Sequence, residues 1–443
     1  MRQRPLGRYR YVRLRWRVLF TAIDAIGGVV FGVARALRRL LPVPAGIAKE
    51  HDDDLRRILL VQLDHLGDAI ITTAILPALR RRYPRASIEV LAGPWNRAVF
   101  EAAAEVDRVE VSAVNRFARG SRARFAWIAS LLWWAVRLRR RHYDLGIDVR
   151  GEFSLALLLW LAGVRRRIGW GSGGGGFLLS DRATSAWNRP EVDSRWALLK
   201  PLGIEPPDDA SRWPAVKVSP SARRAIAGRL GKAGGPRVVL HIGAGSRAKQ
   251  WPVEHWRELL RRILGEHRAA QRGQVHVFGQ PSSEMATLIG RKMDQTPTAA
   301  QVVLVGGPSD RIIARRILGP RDWPRVVDLT GRLSIARLAA VLEAADVVVG
   351  ADSGPAHLAA AVDTPVVALF SGTNRSRQWR PRGRRVVVLR HRVACGPCHR
   401  QECPRPDHPC MRGLTPATVA WEVAELLAGR VGACTHAATS GEL

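Results

Sequence analysis

A chain of 443 residues, 47% of them apolar, has the composition of a globular protein and exceeds what one core organises. This excludes a wholly disordered chain and a single small domain, and two domains are expected. The formal net charge of +32, mostly from arginine, points to an anionic partner: nucleic acid, an anionic membrane surface and a phosphorylated glycolipid would all attract it.

The charge is densest at the start, in MRQRPLGRYRYVRLRWRVLF, followed by the apolar TAIDAIGGVVFGVARALRRLL. Read as a transmembrane helix, Val18 to Ala34 is at the short limit, contains Asp24 and Gly27-Gly28, and meets Arg35 at once. An interfacial amphipathic helix with aromatic and Arg flanks fits better. A disordered basic tail is the plainer alternative. A signal peptide fits less well, because the basic region is long and no small-residue cleavage site is clear.

After the linker PVPAGIAKEHDDD, strands and helices alternate: a strand at Ile58 to Leu63, a helix after Gly67, a strand at Ser87 to Leu91, a helix near Trp95, and a strand at Val109 to Val111. A Trp-rich helix from Phe125 to Arg141, a buried strand in YDLGIDV and the segment Phe153 to Gly163 follow. That helix, with Trp127, Trp133, Trp134 and a basic end, reads as a buried helix with a solvated tip or as a membrane-leaning surface. A Pro-rich, strandless stretch, LGIEPPDDASRWPAVKVSPSA, breaks the series, which restarts at RVVLHIGAGSRAKQWPVEHW. Further strands are expected at Val275 to Phe278, Val302 to Val305, Val326 to Asp328, Val347 to Gly350 and Val366 to Phe370. The alternation predicts an α/β fold of two parallel-sheet domains facing across a cleft at their sheets' carboxyl edges. The expected organisation is a basic extension and linker over 1–54, domains over 55–215 and 216–430, and a tail over 431–443.

Three polar turns sit at strand ends. In DHLGDA, His65 and Gly67 precede Asp68, which falls in the first helical turn; it reads equally as a helix-dipole partner and as a general base. In HIGAGSRAKQWP, Gly243 and Gly245 leave amides available to phosphate oxygens, and Ser246, Arg247 and Lys249 add a hydroxyl and cations. In VVVGADSGPAHL, Asp352 and Ser353 occupy the turn and a helix begins near Gly354, with His357 in its first turn or so. The plain reading of this third turn is an Asp/Ser N-cap and a surface histidine; the sharper one is a further site for an anionic group.

The blocks LLVQLDHLGDAIITTAILPAL, YDLGIDVRG, HIGAGSRAKQWPVEHW, VVLVGGPSD, DLTGRLSIARLAAVLEAADVVVGADSGPAHLAAA and CGPCHRQECP follow in the order in which glycosyltransferase family 9, the ADP-heptose:lipopolysaccharide heptosyltransferases, carries its motifs. The resemblance covers roughly Arg56 to Leu427. It implies a GT-B fold of two Rossmann-like domains, the nucleotide-sugar held mostly by the second and the acceptor by the first, and an inverting, metal-independent transfer that requires no cofactor. It further implies that Asp68 is the base on the acceptor hydroxyl. Lys249 would compensate the departing diphosphate, and Asp352, Ser353, Gly354 and His357 would contact the nucleotide-sugar, with ADP-heptose the expected donor. The expected partners are a phosphorylated glycolipid acceptor and the anionic surface of the inner membrane, reached from the cytoplasm, with no nucleic acid. Another donor, or a non-catalytic nucleotide-sugar or nucleic-acid binder on the same fold, are the alternatives.

Two segments suit the family's nucleoside-facing turn: VHVFGQPSSEMATLIG and VVLVGGPSDRIIARRI. Spacing to DLTG favours Asp310 over Glu284, and the first segment reads as an insertion. Cys395, Cys398, Cys403 and Cys410, with His399 and His408 nearby, form C-x2-C-x4-C-x6-C, which reads as a metal site or as reduced cysteines in a loop near the acceptor; the resemblance favours the loop. Cys434 has no apparent partner, and the aspartate run at His51 to Asp54 precedes the first strand, away from any turn suited to a catalytic metal.

Overall fold

Short runs rich in Val, Ile and Leu, unbroken by charge, become interior strands when helices cover both faces of a sheet. The computed structural model describes residues 14–40, 55–112, 121–184, 189–231, 234–265 and 300–429. The chain divides into two compact units, Met1–Arg212 and Trp213–Leu443. Among the described residues each unit holds one sheet of six parallel strands.

In the first unit the strands are β1 (Arg57–Gln62), β2 (Ser87–Ala92), β3 (Arg108–Val111), β4 (Leu145–Asp148), β5 (Arg166–Trp170) and β6 (Asp181–Ala183), in the order β3-β2-β1-β4-β5-β6. The helices are α1 (Leu14–Leu40), α2 (Leu66–Thr72), α3 (Leu76–Arg82), α4 (Arg97–Glu101), α5 (Ser121–Arg139), α6 (Phe153–Leu161) and α7 (Glu191–Ala197). Alternate residues of β1 serve opposite cores. Ile58 and Leu60 pack with Ile75 and Leu79, whereas Leu59 and Val61 pack with Trp134 and Leu138 of α5 and Leu155 and Leu159 of α6.

In the second unit the strands are β7 (Arg237–His241), β8 (Gln301–Val305), β9 (Val326–Asp328), β10 (Val347–Ala351), β11 (Val366–Phe370) and β12 (Val386–Arg390). Its helices are α8 (Pro220–Leu230), α9 (Val253–Ile263), α10 (Arg311–Leu318), α11 (Ile335–Glu343), α12 (Gly354–Ala361), α13 (Ser376–Trp379), α14 (Pro409–Arg412) and α15 (Pro416–Leu427). The order β9-β8-β7-β10-β11-β12 repeats the 3-2-1-4-5-6 pattern of the first unit, which is that of the Rossmann fold. In such sheets the strand order reverses between the first and fourth strands, and the turns beyond those two strands frame the crevice that receives ligands. Here those strands are β1 and β4, and β7 and β10.

Three strands escape the sequence reading. The edge strand β6 has three residues and lies against β5, which begins with Arg166-Arg167; an Arg166–Asp181 ion pair at 3.0 Å ties the two strands together. At the far edge of the second sheet, β12 follows the charged stretch RPRGRR, which hides it. The expected strand Val275 to Phe278, Glu284, the His51 to Asp54 run and Cys434 lie outside the described residues.

Helix α1 lies against the first unit through one face. The Phe20 and Phe153 rings are 5.9 Å apart, Phe31 meets Phe177 at 5.2 Å and Trp160 at 5.5 Å, and Asp24 Oδ1 accepts the Gly175 amide at 2.7 Å. A Cβ on Gly27 would stand 2.3 Å from the Phe177 ring, so this approach requires glycine. The residues that argue against a spanning helix, Asp24 and Gly27, are thus the ones that seat it. Among the described residues no helix is long and apolar enough to cross a membrane.

Candidate active site

The turn after β1 carries two acidic side chains into the switch point of the first sheet. Asp64 is buried. Its carbonyl accepts Trp95 Nε1 at 2.5 Å and Asn96 Nδ2 at 3.0 Å, and its carboxylate pairs with Arg150 from the turn after β4. That second turn is shaped by Asp148, whose carboxylate accepts the amides of Arg150, Gly151 and Glu152 at 3.0 to 3.2 Å. Four residues on, Asp68 sits in the first turn of α2. His65 is the N-cap there, with no side-chain cap bond. Asp68 Oδ1 instead takes Arg195 Nη2 of α7 at 3.3 Å. The Arg195 guanidinium is 3% exposed and also donates to Glu191 Oε1 at 2.9 Å and Thr72 Oγ1 at 3.2 Å. Asp68 is therefore more than a helix-dipole partner: a buried cation fixes one of its oxygens.

In the second unit the pairing spans β7 and β10. Residues Arg247–Lys249 form a short 3-10 turn, and Lys249 Nζ reaches the Asp352 carboxylate at 2.8 Å and the Asp352 carbonyl at 3.0 Å. Asn374, in the turn after β11, donates to the same carboxylate oxygen at 2.8 Å. Asp352 is buried, and so is His357. The surface-histidine reading therefore fails, and burial pushes the His357 imidazole down to about 4, with Lys249 adding to the effect and Asp352 opposing it. The Ser/Asp cap reading fails too, because Ser353 Oγ donates to the Ala351 carbonyl at 3.1 Å and makes no cap bond with α12, which begins at Gly354.

Gly243 and Asp310 come together. Asp310 Oδ2 accepts the Gly307 amide at 2.7 Å and would lie 2.1 Å from a Cβ on Gly243. Burial raises the Asp310 carboxyl above its usual range, and the Gly307 amide opposes the shift. Gly245 faces open space. Arg247, largely exposed, pairs with Glu402 at 3.1 Å. Of the second unit's expected residues, Lys249 and Asp352 share one cluster with Asn374 while Gly243 and Asp310 share another.

Cys395, Cys398, Cys403 and Cys410 are not disulfide-bonded, and among the described residues no three His, Cys, Asp or Glu side chains gather as metal ligands. Their loop packs on the same edge: the Cys398 amide donates to the Gly372 carbonyl at 2.9 Å, and the Ala248 amide to the Gln401 carbonyl at 3.0 Å.

Sequence reasoning missed Arg195, Asn374 and His241. Arg195 is 127 residues from Asp68 and nothing local marks it. Asn374 was findable, because SGTN follows an expected strand as the other polar turns do. His241 ends β7, where burial holds its imidazole at about 4.

Two Rossmann-like units in one chain, each with charged side chains at its switch point, have the architecture of the GT-B fold. The sequence profile "Glycosyltransferase family 9 (heptosyltransferase)" matches residues 133–299 and 291–408, more than half of the chain. The chain is 24% identical over 338 residues to lipopolysaccharide heptosyltransferase 3 of Escherichia coli, covering 71% of this chain and 83% of that protein. The structure of E. coli ADP-heptose lps heptosyltransferase II superposes with a TM-score of 0.64 at 22% identity, over 84% of this chain and 99% of that one. E. coli heptosyltransferase WaaC with ADP superposes at 0.59 and 20% identity, over 84% and 99%. The chain belongs to glycosyltransferase family 9.

Proposed function

We propose that the protein transfers a heptose from ADP-heptose to a lipopolysaccharide-core or other lipid-linked glycan at the cytoplasmic face of the inner membrane, with inversion and without a metal ion. The observation that carries this reading is Asp68, a carboxylate at the first sheet's carboxyl edge whose one oxygen is clamped by Arg195. A base on the acceptor hydroxyl must keep its position while it takes a proton. The second unit supplies the complementary chemistry. Lys249, released from Asp352 toward the diphosphate, compensates the charge that grows as the glycosidic bond breaks, and the amides around Gly243, Gly245 and Gly354 and the side chains of Ser246, Arg247 and Ser353 receive phosphate oxygens. Asp310 faces the nucleoside. His65 and Gly67 line the acceptor side beside Asp68. The ADP seen with WaaC supports the donor by family likeness.

The test is thermal-shift binding of ADP, UDP, GDP and their sugar conjugates to wild-type and Asp68→Asn protein, followed by transfer assays. Ligands that bind only the folded state raise the melting temperature by mass action. Selective stabilisation of both proteins by ADP and ADP-heptose, with transfer lost in Asp68→Asn, is expected. Stabilisation by another nucleotide would replace the donor; wild-type turnover by Asp68→Asn would remove the base.

A further inference from the structure

Helix α1 turns Phe20, Asp24, Gly27 and Phe31 inward and leaves an apolar stripe outward. Ile26 and Val29 are each 67% exposed, Val18, Val30 and Val33 more than half, and Asp24, the only acidic side chain in the first 40 residues, points to Gly175. Helix α5 repeats the arrangement. Trp134, Leu131 and Leu138 face the core, while Ile128, Leu132, Trp133 and Val136 on the other side are each more than half exposed. Both helices rest on α6, α5 through Leu155, Leu158 and Leu159, α1 through Phe153 and Trp160. Trp160, itself 39% exposed, lies on the helix they share. Beside α5 an open groove of about 600 Å³ is walled by Trp133 and Trp134, with the Arg137 guanidinium 5.4 and 5.6 Å from their ring centres.

We propose that α1, α6 and α5 together form a monotopic docking face that lies on an anionic phospholipid bilayer, α1 and α5 inserting their outward apolar stripes side by side. Exposed apolar residues grouped in stripes on two helices that share α6, rather than scattered singly, mark an interaction surface. The charge selects the occupant. Ten arginines and one acidic residue lie within the first 40 residues, seven of the arginines before Val18 in sequence and three after Val33, so a second copy of this segment would be repelled, whereas anionic lipid attracts it. Tryptophans with a neighbouring guanidinium suit the depth where acyl chains meet headgroups. The inference does not depend on which sugar is transferred.

The test is flotation of the full-length protein with vesicles of phosphatidylethanolamine and phosphatidylglycerol, and separately of phosphatidylcholine alone. Wild type should float with the anionic vesicles and at least tenfold less with phosphatidylcholine. Ile26→Glu with Val30→Glu, and separately Ile128→Glu with Leu132→Glu, should each weaken binding at least tenfold with unchanged circular dichroism. Serine replaces glutamate at any pair that does not fold. Absence of wild-type flotation, equal binding to phosphatidylcholine, or wild-type binding by either pair would overturn the proposal. So would a lipid-free dimer that the substitutions split while vesicle binding persists.

Discussion

The Lys249–Asp352 pair allows a double-mutant cycle that separates holding the fold from handling the donor. At 2.8 Å, and with an effective dielectric near 20, the Coulomb attraction is about 6 kcal/mol. Desolvation of two groups that are 20% and 5% exposed offsets more than half of it, leaving a coupling of about 2 kcal/mol. Lys249→Ala leaves the near-buried Asp352 carboxylate with Asn374 for compensation, and Asp352→Asn leaves the ammonium with neutral acceptors only. Each single substitution should lower stability by about 2 kcal/mol or more, or roughly 4 to 8 °C in melting temperature for a unit of this size. Lys249→Ala with Asp352→Asn should lose about 2 kcal/mol less than the sum of the two. Transfer activity should follow a different pattern, because the doubly substituted protein still lacks the cation for the diphosphate. Calorimetric melts and initial rates on the four proteins decide it. Additive stability losses would refute the coupling, and recovery of activity in the double variant would show that Lys249 serves only to neutralise Asp352.

Gly243→Ala should push the Asp310 carboxylate off the Gly307 amide, lowering stability by about 1 to 2 kcal/mol and weakening nucleotide binding in the thermal-shift assay; unchanged nucleotide affinity would detach Asp310 from that site. Arg195→Met removes the cation that holds Asp68 and should lower kcat with donor affinity retained, read from steady-state rates beside ADP titrations. Stability should also depend on pH through His241 and His357, both held near 4 by burial. The unfolded chain, with its imidazoles near 6.5, binds more protons between those values, so the contribution is complete above about pH 6.5 and declines as pH falls toward 4. It amounts to about 3 kcal/mol for each imidazole. Melting curves from pH 4 to 8 should show this decline, reduced in His357→Gln; an equal slope in that variant would mean His357 is not the titrating group.

The fold was legible where burial forces an uninterrupted apolar run. The strands at Ile58, Ser87, Val302, Val347 and Val366 announce themselves because helices cover both faces and admit no alternation. Toward the sheet edges this constraint relaxes: the edge strands β6 and β12, and β5 next to the edge, carry or adjoin arginines that mask them. The candidate site was legible to the same extent. Asp68, Lys249 and Asp352 could be singled out as candidates because each is a charge in the polar segment that follows an apolar strand. Arg195 was not, since it acts from a helix packed on the turn and its sequence context is that of any amphipathic helix. The outward stripe of α5 was ambiguous for a related reason: apolar residues occupy both its faces, so periodicity could not tell core from surface.

Both sheets have the same strand order, and in each an ion pair bridges the turns on either side of the reversal: Asp64 with Arg150 in the first unit, Lys249 with Asp352 in the second. The polarity is opposite. In the first unit the turn after the leading strand carries acids, Asp64 and Asp68; in the second it carries cations, Arg247 and Lys249. A common topology supplies each unit with a crevice, and on the proposed reading the sign of the side chains placed there decides which half of the transfer each unit serves. A hydroxyl that must lose a proton is served by a fixed carboxylate, and a departing diphosphate by fixed cations and amides. On the proposed reading, neutralising the charges at either turn would leave the reaction without one of its two charge-handling groups.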